Sequence, residues 1–371
     1  MIVDNSAPDS ATRQSAERNS PGTDSARIPD FSVVVPAYNC AAALARSLSA
    51  LRASEVPSML WELIVVDDGS SDSTASVAES SADVTLRLGP GPSGPAFARN
   101  RGAERARGKY IVFIDSDVCV HPDALERLMS VLDSSDAPAA VFGAYDTHPP
   151  EPGLVSQYRN LLHHYVHWTN SGPAQTFWAG LGAIRRDVFL NIGMFDEKRF
   201  TRPQIEDIEL GYRLVEHGYR LVLRPGIQGT HLKRWAFGNM VMTDLLDRAV
   251  PWTRLLLERR QPSRAGTLNI KQSEKVFTLV TAIGLVLTVV AFVTREWRYA
   301  LPAVACFATV VAANAHLLSW FATERGIAFA VAVIPLRLLF YVVSGVGAVW
   351  AVLLYALRNR RSEMPMHRAT S

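Results

Sequence analysis

The sequence predicts an α/β domain built on a mostly parallel, Rossmann-like sheet covered by helices, followed by interfacial and membrane-spanning helices. Three observations carry this. Between residues 31 and 115, short and almost purely apolar runs alternate with segments of helical spacing, as strands buried on both faces do. Charged residues are common before residue 275 and scarce after it. Beyond that point, apolar stretches reach membrane-spanning length.

The first strand is "FSVVVPAYN" (31–39), filled by Val33, Val34 and Val35 and stopped by Pro36. "AAALARSLSALRAS" follows with Leu44, Leu48 and Leu51 at helical spacing. "WELIVVDDGSSDST" places a buried strand over Leu63–Val66, a turn at Asp67-Asp68-Gly69-Ser70 and a helix start near Ser73. "VTLRL" (84–88) is a third strand, "GPGPSGP" a loop, "AFARNRGAERAR" a helix ended at Gly108, and "KYIVFID" a fourth strand. Sheets of this kind bind ligands beyond the carboxyl ends of their strands. Asn39, Asp67, Asp68, Asp115 and Asp117 all fall there.

The middle region mixes signals. "HPDALERLMSVLDSS" reads as a helix, "AAVFGAY" as a strand, and "GLVSQYRNLLHHYVHW" as a helix with aromatics at its apolar spacing. Its His163, His164 and His167 lack an accompanying carboxylate, so they read as a solvated or interfacial face and not as a metal set. "IEDIELGYRLVEHGYRLVL" is a helix ended at Gly218 and then a strand.

Residues 236–275 alternate large apolar residues with Arg and Lys, the pattern of helices lying in a membrane interface. Candidate spans are 276–294, 299–321 and 327–357, giving two or three true crossings, and 358–371 is a basic tail. Residues 1–28 are rich in Ser, Asp, Pro, Ala and Arg, have no signal-like apolar run, and are expected to be disordered. A net charge of +3 gives no reason to expect a nucleic-acid partner. Three scattered cysteines form neither a disulfide framework nor a zinc site and fit a reducing compartment.

Two carboxylate pairs carry chemistry. Asp115 and Asp117 form a D-x-D read as the end of a strand, where residues two apart share a face. Their hard oxygens suit Mg²⁺ or Mn²⁺ held together with a diphosphate. Glu206 and Asp207 open a helix; acids are favoured there electrostatically, and one could serve as a general base. His231, Arg234 and Trp235 lie in "GTHLKRW", just before the interfacial segment.

In this order, "VVVPAYN", "VVDDGSSDST", "ARNRGAERARGKYIVFIDSDV", "GAIRRDVFLNIGMFDE" and "EDIELGYRL" resemble the family 2 glycosyltransferases with the GT-A fold, over about residues 31–235. The resemblance implies a nucleotide-sugar donor; a uridine diphosphate sugar is expected over a guanosine diphosphate sugar. Pro36, Ala37 and Tyr38 would line the base, Asp67 or Asp68 would contact the nucleotide, and Arg99 would sit near it. Asp115 and Asp117 would bracket a Mn²⁺ or Mg²⁺ ion and the donor diphosphate. Trp178 and Gly180 would shape the acceptor pocket beside Glu206 and Trp235, and Asp207 would be the catalytic base. "HLKRW" is similar to the Q-x-x-R-W motif of membrane-bound members, with His231 in place of glutamine. That departure argues against a processive polymerase and offers His231 to the metal or diphosphate. Arg234 would stabilise the departing diphosphate. The expected enzyme is an inverting, metal-dependent glycosyltransferase of the plasma (inner) membrane with a cytoplasmic catalytic domain. It would act on a hydroxyl of a lipid or lipid-linked glycan. The alternative is transfer to a polyprenyl phosphate.

Overall fold

The computed structural model describes residues 28–56, 59–259 and 272–362. Residues 1–27 of the expected tail, part of the expected interfacial segment (260–271) and residues 363–371 lie outside the described residues.

The chain opens with β1 (Phe31–Ala37), α1 (Ala41–Arg52), β2 (Trp61–Asp67), α2 (Thr74–Ser81), β3 (Val84–Arg87), α3 (Pro95–Arg105) and β4 (Tyr110–Ile114). These are the four strands and three helices that the hydrophobic pattern predicts. After β4 come β5 (Val118–Val120), α4 (Ala124–Leu132), β6 (Ala140–Tyr145), α5 (Leu154–Trp168) and β7 (Gly172–Ala174). Then follow β8 (Leu181–Arg185), α6 (Arg186–Asn191), α7 (Glu206–Glu216) and β9 (Leu221–His231). The strand order is β3-β2-β1-β4-β8-β6-β9-β5, with β7 also on β9. β3, β2, β1 and β4 pair in parallel, as do β6 and β9, while β8 joins the two parallel groups antiparallel to both neighbours.

Both faces of the sheet are buried, which explains the unbroken apolar runs. Val34, Ile64, Val66, Ile111 and Phe113 face α3, α6 and α7. Their alternating neighbours Val33, Val35, Leu63, Val65 and Val112 face α1 and α4. Two glycines allow close helix approach. A Cβ on Gly102 of α3 would lie 2.4 Å from Val34, and one on Gly211 of α7 would lie 2.3 Å from the Phe177 backbone nitrogen.

The D-x-D geometry differs from the sequence reading. Asp115-Ser116-Asp117 is not strand but the turn between β4 and β5, closed by the Val118 N–H donating to the Asp115 carbonyl at 3.0 Å. Strand alternation therefore does not align the two carboxylates.

Beyond β9 come α8 (Phe237–Met242), a π-helical stretch Thr243–Ala249 and α9 (Val250–Arg259). They are followed by α10 (Gln272–Thr294), α11 (Ala300–Ala313), α12 (Ala315–Arg325), α13 (Ile327–Ala332) and α14 (Ile334–Ser362). Gln272–Thr294 and Ile327–Arg358 are long and apolar enough to cross a membrane, with mean hydropathies of 2.7 and 2.2. The apolar run at 299–321 is broken, because α11 and α12 meet at a 61° bend. Asn314 sits at the break. Its amide nitrogen donates to the Val310 carbonyl at 2.8 Å and its oxygen accepts from Arg337 Nε at 2.8 Å. An asparagine bonding its own helix end and a neighbouring arginine gives the backbone an alternative to continuing straight.

Candidate active site

Arg99 organises the carboxylates. It projects from α3 with its side chain 6% exposed, donating from Nη2 to Asp115 Oδ1 at 2.7 Å and from Nη1 to Glu206 Oε1 at 2.8 Å. Burial works to lower its pKa, but Asp115 and Glu206 outweigh this and hold it firmly charged. The guanidinium thus ties the β4–β5 turn to the first residue of α7. Glu206 is completed by the Gln204 N–H at 2.9 Å.

Asp207, the next residue, is left without a cation of its own. Its Oδ2 accepts from the Ala179 N–H at 3.2 Å and its Oδ1 from the Ile208 N–H at 2.8 Å. Burial first, then the adjacent Glu206 charge, pushes its pKa up to about 7 against the pull of Arg99. Two neighbouring acids are therefore held differently, one ion-paired and the other shifted toward neutrality.

Asp117 faces a different partner. Its Oδ2 lies 3.5 Å from His231 Nε2. Burial works to raise its pKa, but the imidazole and Lys233 hold it below the usual carboxylate range. His231 is fixed from behind. Asn160 Nδ2 donates to the Ser156 carbonyl at 3.0 Å, which turns its Oδ1 to accept from His231 Nδ1 at 2.5 Å. Nε2 is thereby aimed at Asp117, and such an outer partner is what orients a metal-ligating imidazole. Tyr145 stacks on the ring with centroids 4.1 Å apart. Burial and the charges of Asp115, Asp117 and Asp207 raise the Tyr145 pKa well above that of a free phenol, placing all three carboxylates around one tyrosine.

A carboxylate and an imidazole beside a second, partly open carboxylate suit a borderline-hard cation such as Mn²⁺ that also takes phosphate oxygens. Among the described residues no group of three His, Cys, Asp or Glu is placed to hold a metal alone. The fit therefore depends on oxygens that a substrate brings.

The other predicted positions sort as follows. Asp67 and Asp68 are both buried at the end of β2. Asp68 is spent on structure, accepting from the Ser93 and Gly94 N–H groups at 3.1 and 2.8 Å. Burial still raises its pKa in spite of these bonds. Asp67 takes the Ser70 N–H at 3.2 Å on Oδ1 alone. Pro36 and Ala37 end β1, and Tyr38 beside them is 43% exposed. Gly180 seats Trp178: a Cβ there would come within 2.5 Å of the indole. Trp178 also meets the Tyr145 ring edge-on at 4.8 Å. Arg234 is exposed, whereas Trp235 is buried against α5 and α12 beneath Lys233 and Arg159.

The histidine row is not a solvated face. His164 and His167 are buried, and their Nδ1–H groups donate to the Tyr145 and Gly143 carbonyls at 2.7 and 2.9 Å. Burial pushes His167 down to about 4 and His163 well below its ordinary value. Sequence reasoning did not find Tyr145 or Asn160; neither lies in a motif, and only the packing of α5 on β6 and β9 brings them to His231.

Residues 32–193 match the model of glycosyl transferase family 2. The succinoglycan biosynthesis protein ExoO of Rhizobium meliloti is 38% identical over 125 residues, 33% of this chain and 35% of that protein. Glycosyltransferase AglE of Haloferax volcanii is 25% identical over 58% of this chain and 70% of its own length. Validoxylamine A glucosyltransferase of Streptomyces hygroscopicus subsp. jinggangensis is 30% identical over 57% of this chain. The matches span only about 35% of the first relative and 58% of the third. The mannosyltransferase PcManGT from Pyrobaculum calidifontis, solved with GDP-Man and Mn²⁺, superposes with a TM-score of 0.55 at 17% identity over 87% of both chains, a likeness of fold. Residues 32–193 form a domain that matches glycosyl transferase family 2, on a GT-A fold.

Proposed function

We propose that this chain transfers a sugar from a nucleotide-diphosphate donor to a hydroxyl group of a lipid or lipid-linked glycan at the membrane surface, with inversion. The observation that carries the reading is the division of labour at the head of α7. Glu206 is neutralised by Arg99, and Asp207 is held near neutrality beside the Asp115–Asp117 turn. A phosphate acceptor, already ionised near pH 7, would have no use for such a base. Transfer to a polyprenyl phosphate is therefore the weaker reading.

Asp207 takes the acceptor proton as the hydroxyl oxygen attacks the anomeric carbon. The new carbon–oxygen bond forms as the bond to the diphosphate oxygen breaks, and the nucleoside diphosphate leaves with the electron pair. Asp117, His231 and Asp115 would hold a divalent cation, which when bound neutralises charge on that leaving group. Arg234, exposed next to Lys233, would meet the same charge. The exposed Tyr38 ring would meet the base, and the unshared Oδ2 of Asp67 favours Asp67 over Asp68 as the nucleotide contact. The two apolar helices support a membrane location, and the cytoplasmic side for the catalytic domain stands as part of the proposal. Neither the relatives nor the fold select the base, so the preference for uridine stands as part of the proposal.

The test is donor turnover across uridine and guanosine diphosphate sugars, with and without Mn²⁺. Metal-stimulated release of one nucleotide is expected. Turnover that ignores both Mn²⁺ and Mg²⁺ for every accepted donor overturns the metal assignment, and no turnover with any donor overturns the reaction.

A further inference from the structure

A cavity of about 930 Å³ lies between the π-helical stretch, α9, α10 and α14. That is near the upper end of the roughly 300–1,000 Å³ usual for small-molecule sites. Its lining is graded. Arg159, Asp244, Arg248, Glu274 and Lys275 come from α5, the π-helical stretch and the first turn of α10. Farther along the two long helices it is lined by Leu279, Ala282, Leu285, Val349 and Leu353. α10 and α14 run in the same direction here. Glu274 pairs with Arg337 at 2.9 Å at their starts, and Gly345 meets Thr278 farther on. The cavity is thus a groove with a charged mouth at the catalytic domain and a hydrocarbon wall along the membrane helices.

The charges at the mouth do not cancel. Asp244 is taken by Arg159 at 2.5 Å and Glu274 by Arg337. Arg248 keeps only a 3.5 Å contact to Asp244, and Lys275 is exposed with no ion pair among the described residues. Two cations without full partners above an apolar groove suit an anionic head on a hydrocarbon chain. The mouth is also joined to the reaction centre. Arg159 lines the groove, while its neighbour Asn160 holds His231, the imidazole facing Asp117.

Building on the proposed transfer reaction, we propose that this groove binds the acceptor. The acceptor is a glycan joined through phosphate to a single lipid chain, the chain lying between α10 and α14 and the phosphate at Arg248 and Lys275. A hydroxyl of that glycan is thereby presented to Asp207.

The test uses the full chain in phosphatidylcholine nanodiscs and an isoprenyl phosphate probe with a photoreactive diazirine in its chain. Labelling is expected on peptides covering Leu279–Leu285 and Val349–Leu353. The corresponding neutral isoprenyl alcohol should compete at least about tenfold less well, the loss of one charge-assisted contact worth about 1.4 kcal/mol. Ala282→Trp, which fills the groove, and Lys275→Glu, which reverses the mouth, should each weaken probe binding about tenfold or more. Val286→Trp, which is outside the lining, should not. Nucleotide affinity measured on the same samples reports that each variant is folded. Equal labelling of Ala282→Trp and the parent overturns the proposal, as does equal competition by two-chain phosphatidic acid. A stable dimer cross-linked through Leu285 also overturns it, by assigning the groove to a second copy. Loss of donor turnover with labelling intact would instead refute the transfer reaction and leave the groove standing.

Discussion

Replacing Arg99 by methionine keeps the stem of the side chain and removes the guanidinium that joins the D-x-D turn to α7. Two charge-assisted bonds go, at 2.7 Å to Asp115 and 2.8 Å to Glu206. Their losses are unequal. The Asp115 side chain is 31% exposed and can recover water, so its share falls in the range of about 0–1 kcal/mol typical of open pairs. Glu206 is 5% exposed and keeps only the Gln204 N–H. Removing one partner of a buried pair costs roughly 3–5 kcal/mol, because the remaining charge is stranded. The sum is about 4 kcal/mol, close to the whole stability of a weak domain. In a domain of this size each kcal/mol moves the melting midpoint by roughly 2–4 °C. Thermal unfolding of Arg99→Met should therefore fall by roughly 8–16 °C. Arg99→Met combined with Glu206→Gln should recover more than half of that loss, because the stranded charge is gone. A drop under about 2 °C, or a double variant that simply adds a second loss, would refute the claim that Arg99 is the neutralising centre.

Asn160→Leu leaves His231 without the acceptor that fixes its ring. Mn²⁺ activation should weaken about 10–100-fold, measured as the metal concentration for half-maximal turnover, and an unchanged value would remove His231 from the metal site. Gly211→Ala pushes α7 off the Phe177 backbone, now 2.3 Å from the added carbon. Displacing Asp207 by even part of an ångström should cut kcat by up to about 100-fold with nucleotide affinity unchanged. The pH dependence follows from Asp207. Its folded pKa near 7 lies above the unfolded value of about 3.9. The folded chain therefore keeps a proton that the unfolded chain has lost, and stability from this group falls as pH rises from about 4 to 7. Activity runs the opposite way, since the base must be free, so kcat/KM should rise through pH 7. Asp207→Asn should melt higher than the parent at pH 8 and no higher near pH 4. A parent rate that is flat from pH 5 to 8 would contradict this assignment.

The strands were legible because burial on both faces writes itself as unbroken Val, Ile and Leu runs, and the carboxylates beyond them marked the rim of the sheet. The Glu206–Asp207 pair was visible, but the division of roles was not, since it depends on Arg99 arriving from more than a hundred residues away. The histidines of α5 were misread for a related reason. Amphipathic spacing assumes one wet face, whereas α5 is buried by the sheet on one side and by α12 on the other. Strand alternation likewise misplaced the D-x-D, because a tight turn after Ile114 is invisible to a two-residue period. The break at Asn314 was hidden in an otherwise apolar run, since one of the groups that Asn314 bonds, Arg337, lies on another helix.

The central claim is that Asp207 deprotonates an acceptor hydroxyl. It is tested most directly by transfer to a hydroxyl acceptor with Asp207→Asn, at saturating donor and Mn²⁺. The account predicts a kcat about 10²–10⁴-fold below the parent with donor affinity retained. Turnover within a few-fold of the parent would contradict it and turn the reading toward a phosphate acceptor that needs no base.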